Sequence, residues 1–182
     1  KVKTAEQLFD IYLSSVGRGS TLLLNIPPDQ RGLFHEKDIE SLKGYKKLLE
    51  TEFAFNIAKK ARVKTSSIRS NEAIYAGKMI TDGKKDTYWT TDNDLSTGSF
   101  EIDLGKTATV KYIVLQEYIR LGQRVKAFTV DIWKDGTWQK VAGATTIGYK
   151  RILKIDPVNT SKIRVNINDS KACPLISNVE IY

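Results

Sequence analysis

Apolar positions recur along this chain with three different periods, and each predicts a different element. In "TAEQLFDIYLSSVGRGS" (4–20), Leu8, Ile11, Tyr12 and Ser15 share one face of a 3.6-residue repeat. Thr4 followed by Gln7 predicts a capped helix start, and Gly17 and Gly19 predict its stop. "TLLLNI" (21–26) is instead continuous and ends at Pro27 and Pro28, as a strand covered on both faces would. "HEKDIESLKGYKKLLETEF" (35–53) returns to helical spacing through Ile39, Leu42, Tyr45 and Leu49, with acids early and lysines late as the helix dipole favours. The first 57 residues therefore read helix, strand, helix.

Beyond residue 58 the period becomes two. Phe100, Ile102 and Leu104 alternate with polar neighbours; so do Phe128, Val130 and Ile132, then Ile163, Val165 and Ile167, and finally Val179 and Ile181. "KDGT" (134–137) is an Asp-Gly hairpin signal. Several short alternating strands with such turns predict an antiparallel β-sandwich. Following the strands up and down, with turns at "GKTATV" (105–110) and "DPVNTSK" (156–162), gathers the loops 90–98, 117–125, 145–150 and 168–175 at one end. Loops clustered on a rigid sandwich are where binding sites usually form. Glu117, Tyr118, Gln123, Arg124, Tyr149 and Lys150 of that end, with Arg120 and Lys171 beside them, are the candidates for holding a carbohydrate or a neighbouring domain. Arg, Glu and Gln side chains match sugar hydroxyls, and a tyrosine face matches the apolar side of a pyranose.

Composition narrows the chemistry. With 41% hydrophobic residues in 182, the chain can bury a core. The net charge of +8 lies wholly in residues 58–182, because residues 1–57 balance. The shift falls at "NIAKKARVKTSS" (56–67), which reads as a basic linker between a 1–57 unit and a 58–182 unit. The basic residues are dispersed, with no aromatic stripe and no nucleic-acid motif, so nucleic acid is not an expected partner. One cysteine, Cys173, and one histidine, His35, exclude an intrachain disulfide, a Cys/His zinc site and a serine triad with a histidine to spare. No apolar run approaches 18 residues, so no membrane span is expected, and the start without Met or leader reads as a truncated N-terminus.

Two stretches carry family resemblances. "SVGRGSTLLLNIPPDQRGLFHEKDIESLKGY" (15–45) resembles the end of the (β/α)8 barrel of family 29 glycoside hydrolases, the α-L-fucosidases. "MITDGKKDTYWTTD" (79–92), "FEIDLG" (100–105), the Trp of "DGTW" and the final "NVEIY" resemble the discoidin-like, coagulation-factor type C domain, which includes family 32 carbohydrate-binding modules. The implied fold is mainly β: a galactose-binding-like jelly-roll sandwich (58–182) preceded by a helix–strand–helix remnant of a (β/α)8 barrel (1–57).

The resemblance implies a C-terminal portion of a retaining α-L-fucosidase, in which one carboxylate attacks the sugar and a second carboxyl protonates the leaving group. In that family both come from earlier chain, so no catalytic residue is expected here and the chain alone should be inactive. Asp29 reads as a turn residue with a barrel-rim role as the alternative, Glu36 as a first-turn acid and His35 as a cap. A structural calcium is implied at Asp82, Thr87 and Glu180, with Asp86 a weaker addition; Lys84 and Lys85 oppose it, and an Asp-Gly pair is equally a plain turn. Trp89 is implied to be core. The implied partners are a fucosylated or galactose-containing glycan and the missing N-terminal barrel, and the implied location is periplasmic or extracellular. No histidine occurs in residues 58–182, a departure from galactose-binding relatives. Two alternatives stay open: a stand-alone module for an anionic glycan or lipid driven by the positive charge, and a purely structural domain.

Overall fold

The computed structural model describes residues 2–182. Helix α1 (Ala5–Ser15) opens with the expected capping box: the Thr4 hydroxyl accepts from the Gln7 amide and the Gln7 side chain accepts from the Thr4 amide. A short 3-10 turn, Val16–Arg18, ends at Gly19 in the left-handed region, φ 82°. Helix α2 (Glu36–Glu52) is capped by His35, whose Nδ1 accepts from the Lys37 amide at 3.2 Å. Gly44 lets the two helices approach, since a β-carbon there would meet the Ala5 Cβ at 2.9 Å.

The strand expected at 21–26 does not form. That stretch is extended but joins no ladder, and Leu23 is 92% exposed. A strand exists through hydrogen bonds to a neighbour, and none of the described strands lies beside this one.

Seven strands build the remainder: β1 (Arg62–Thr65), β2 (Trp89–Thr90), β3 (Gly98–Glu117), β4 (Val125–Lys134), β5 (Thr137–Ala144), β6 (Arg151–Ser170) and β7 (Leu175–Ile181). All pairs are antiparallel, in the order β2-β7-β3-β6-β4-β5, with β1 on the first part of β3. The turns expected at 105–110 and 156–162 are instead corners within two continuous strands. β3 and β6 run antiparallel along their whole lengths, and their register shifts between Asp103 and Ala108 and again between Val110 and Tyr112. Gly105 there has φ 74°. Such bulges bend a paired ribbon so that it passes from one sheet to the other. The first half of β3 pairs with β1 and the second with β7, and β4 joins only the second half of β6.

Folding the ribbon over encloses one core. Phe100, Ile102, Phe128, Val130, Ile132, Ile163 and Val165 face Ile113, Leu115, Ile176, Val179 and Ile181 in a single buried cluster, the alternation predicted from the sequence. Trp89 lies fully inside it and donates its indole N–H to the Ser67 carbonyl at 2.9 Å. Asp135 and Gly136, at φ 51° and 77°, close the β4–β5 hairpin as the two-residue turn requires.

The helices lie on the outer face of the β7-β3-β6 sheet. Phe9, Tyr12 and Phe53 pack on Tyr112, Val114, Ile152 and Tyr182, with Phe53 5.1 Å from both the Tyr112 and Tyr182 rings. The stretch expected to be a basic linker is built in: Ala58 is fully buried, the Asn56 side-chain oxygen accepts from the Ala58 and Ile181 amides, and residues 62–65 are β1. Its lysines and arginines point outward from a backbone that the core holds. Among the described residues no helix is long and apolar enough to cross a membrane.

Candidate functional site

Asp29 and Glu36 share one guanidinium, that of Arg31. Asp29 takes the Arg31 amide on Oδ1 at 2.8 Å and the Arg31 guanidinium on Oδ2, and Arg31 also reaches Glu36 at 2.7 Å. The guanidinium beside them holds both carboxyls below the ordinary carboxylate range. A general acid requires the opposite shift. Asp29 closes its own turn through the Arg31 and Leu33 amides, and Glu36 lies in the first turn of α2.

At the other end the predicted loops do converge. The Ser170 hydroxyl donates to the Ser96 carbonyl, and the Lys171 amide to the Arg124 carbonyl at 2.9 Å. Glu117 is the centre of this arrangement and is 2% exposed. Its Oε1 accepts from the Arg124 and Val125 amides at 2.7 and 2.9 Å, and its Oε2 from the Gly148 amide at 2.6 Å. One carboxylate therefore clasps two loops from inside. Arg124 donates to the Cys173 carbonyl and sulfur at 2.9 Å each, and so holds a third loop. Gln123 is exposed beside Gly148. These contacts place Glu117 and Arg124 in the framework of the loops.

Tyr118, Tyr149 and Lys150 face a different feature, a groove of about 400 Å³ on the outer surface of the β7-β3-β6 sheet. Its floor is Gln116 of β3 and Ser177, Asn178 and Glu180 of β7; its walls are the 83–85 loop, Tyr118 to Arg120, and Tyr149 with Lys150. The floor is organised by side-chain amides: Gln116 donates to the Tyr149 carbonyl at 3.0 Å and accepts from Asn178 at 2.8 Å. Tyr118 stacks on Tyr88 at 4.6 Å, which covers one of its faces, whereas Tyr149 is 59% exposed. Tyr149 is the ring free to meet a ligand. Gln116, Ser177 and Asn178 were not foreseen, although strand parity puts Gln116 and Asn178 on the outward face.

The predicted calcium residues divide. The Thr87 hydroxyl lies 2.9 and 3.1 Å from the two Asp82 oxygens and 3.5 Å from the Met79 carbonyl, and the Lys84 amide donates to Asp82 at 2.8 Å. Glu180 instead accepts from Asn178 at 3.0 Å and from the Tyr182 hydroxyl at 2.9 Å. Asp86 pairs with Arg120 at 2.8 Å. No three His, Cys, Asp or Glu side chains form a metal-binding group among the described residues. Asp82, Thr87 and the Met79 carbonyl are an oxygen cluster of the type a hard cation accepts, with one carboxylate only.

Residues 62–180 match the F5/8 type C domain. The alpha-L-fucosidase 1 of Arabidopsis thaliana is 32% identical over 184 residues, which cover 99% of this chain and 36% of that protein. The chain thus spans little more than a third of the curated relatives it matches. The Ruminococcus gnavus GH29 fucosidase E1_10125, solved in complex with fucose, superposes with a TM-score of 0.91 at 31% identity, over 99% of this chain and 37% of that one. A chitosan-binding module from the chitosanase/glucanase of Paenibacillus sp. IK-5 shares the fold alone, with a TM-score of 0.63 at 19% identity over 70% of this chain and 98% of the module. Similar along its whole length, helices included, to α-L-fucosidases, the chain belongs to the F5/8 type C domain family.

Proposed function

We infer that this chain is the C-terminal portion of an α-L-fucosidase that releases terminal α-L-fucose from glycans, and that its sandwich holds glycan beside the catalytic barrel. The observation that carries this reading is the extent of the similarity. It covers the helices as well as the sandwich, where a module shared among unrelated proteins would match over the sandwich only. The unpaired 21–26 segment supports it, because an extended apolar stretch with Leu23 in solvent is what a barrel strand looks like without its neighbours. Asp29 and Glu36, both salt-bridged to Arg31 and held ionised by it, are poorly suited to the general-acid role. On the same reading the enzyme works in the periplasm or outside the cell.

The test is hydrolysis of an aryl α-L-fucoside by this chain and by a version extended upstream by the length of a barrel. The extended protein is expected to turn over and the 182-residue chain to be inert; turnover by the short chain would contradict the reading.

A structural calcium belongs to the reading as a proposal at Asp82, Thr87 and Glu180, with the Met79 carbonyl. Thermal denaturation in millimolar calcium and in chelator measures it. A higher Tm with calcium is expected, and equal values would remove the metal from the account.

A further inference from the structure

The groove on the β7-β3-β6 face is unlike the rest of the candidate site in charge. Four cations stand around it, Lys84 and Lys85 from the Asp82 loop, Arg120 and Lys150. The two carboxylates in its lining are already engaged. Glu117 is buried under three backbone amides, and Glu180 accepts from Asn178 and Tyr182. Arg120 is paired with Asp86, which leaves Lys84, Lys85 and Lys150 without an ion-pair partner among the described residues. With Arg120 offset by Asp86, three lysines face two carboxylates, Glu117 and Glu180, whose hydrogen bonds leave their charge in place; the surplus is one positive charge, with the ammonium groups at the rim where an anion can reach them.

The remaining lining specifies what the anion is attached to. Tyr149 offers an exposed ring at the rim, and Gln116, Ser177 and Asn178 offer neutral hydrogen-bonding groups on the floor. A ring with a polar floor suits a pyranose, and lysines at the edge suit an oxyanion on it. A bare phosphate or sulfate would use the lysines and leave the tyrosine idle.

We propose that this groove binds an anionic glycan, a pyranose bearing a sulfate ester or a carboxylate, with the oxyanion between Lys84, Lys85 and Lys150 and the sugar face on Tyr149. The proposal rests on the preceding reading only in taking the ligand to be a glycan. It narrows the class from neutral fucosylated or galactose-containing sugars to acidic ones.

Titration calorimetry of the 182-residue chain with four probes tests it: a sulfated fucan oligosaccharide, its desulfated counterpart, an oligogalacturonate and oligoglutamate. The expected result is binding of the sulfated fucan, the oligogalacturonate or both, at least tenfold tighter than the desulfated sugar or oligoglutamate, and weakening with salt. Which acidic sugar binds separates sulfate from carboxylate. Lys84→Gln with Lys85→Gln is expected to lower that affinity at least tenfold, and Tyr149→Ala to lower it for the sugar while sparing salt dependence. Lys134→Gln with Lys140→Gln, an equal loss of charge on the β4–β5 hairpin, should leave it unchanged. Equal binding of the desulfated sugar, equal binding of oligoglutamate, or equal losses in the two lysine pairs would each overturn the proposal. So would loss of binding in the upstream-extended protein, which would make the groove an internal interface. Aryl fucoside turnover of that extended protein is read separately, so failure of the fucosidase reading and failure of the groove are distinct results.

Discussion

Glu117 shows how a side chain singled out for its chemistry can also hold together the loops around it. A glutamate at a strand end among Arg, Gln and Tyr reads as a residue for a carbohydrate or a neighbouring domain, and its oxygens take three backbone N–H groups from residues 124, 125 and 148. Two of those donors come from the loop that follows Glu117, and the third, Gly148, from a separate loop that reaches it only in the folded chain. Glu117→Ala would leave three donors unmatched, each costing about 1–3 kcal/mol if buried. The expected loss is on the order of 3 kcal/mol, seen as a Tm lower by roughly 6–12 °C. A Tm within about 2 °C of the parent would return Glu117 to the pool of ligand residues. Tyr112 gives the pH response. Burial, and then the nearby Glu52 carboxylate, push its phenol up to about 12, above the unfolded value. The folded chain keeps a proton that the unfolded chain has released, so stability is intact below about pH 10 and declines as pH rises toward 12. Denaturant midpoints measured across that range should fall, and fall less steeply in Tyr112→Phe.

At the scale of elements, what the sequence revealed was what depends on near neighbours. The Thr4–Gln7 capping box, the Asp135–Gly136 turn and the alternation of Phe128, Val130 and Ile132 are all local patterns, and each forms as read. The corners of β3 and β6 were read as turns because alternation breaks at Gly105 and Pro157, whereas a bulge breaks alternation without ending the ladder. The strand expected at 21–26 is absent for the opposite reason: a continuous apolar run becomes a strand only beside another strand, and none of the described strands lies there. The groove was only half visible because it joins the 83–85 loop to β7, nearly a hundred residues apart. The helix pair tests the layer model. Phe9, 5% exposed between α1 and Tyr112, anchors it. Phe9→Ala is expected to cost about 3 kcal/mol in urea unfolding. A cost below about 1 kcal/mol would mean that the helices rest loosely on the sheet.

Taken as a whole, the chain has a sandwich with its own core, a pair of helices fixed to the outer face of one sheet, and one extended apolar segment left without a ladder. The fold gives the sandwich a grip on whatever the helices belong to, and the groove opens on the same face that the helices occupy. The central claim is that the reacting carboxylates lie upstream and the residues described here only position and bind. Trapping the glycosyl-enzyme intermediate decides it most directly. The upstream-extended protein is treated with an activated 2-deoxy-2-fluoro fucoside, digested, and the labelled peptide located by mass spectrometry. The label is expected on an Asp or Glu that precedes residue 1, and a label on Asp29, Glu36 or any other carboxylate of residues 1–182 would contradict the account.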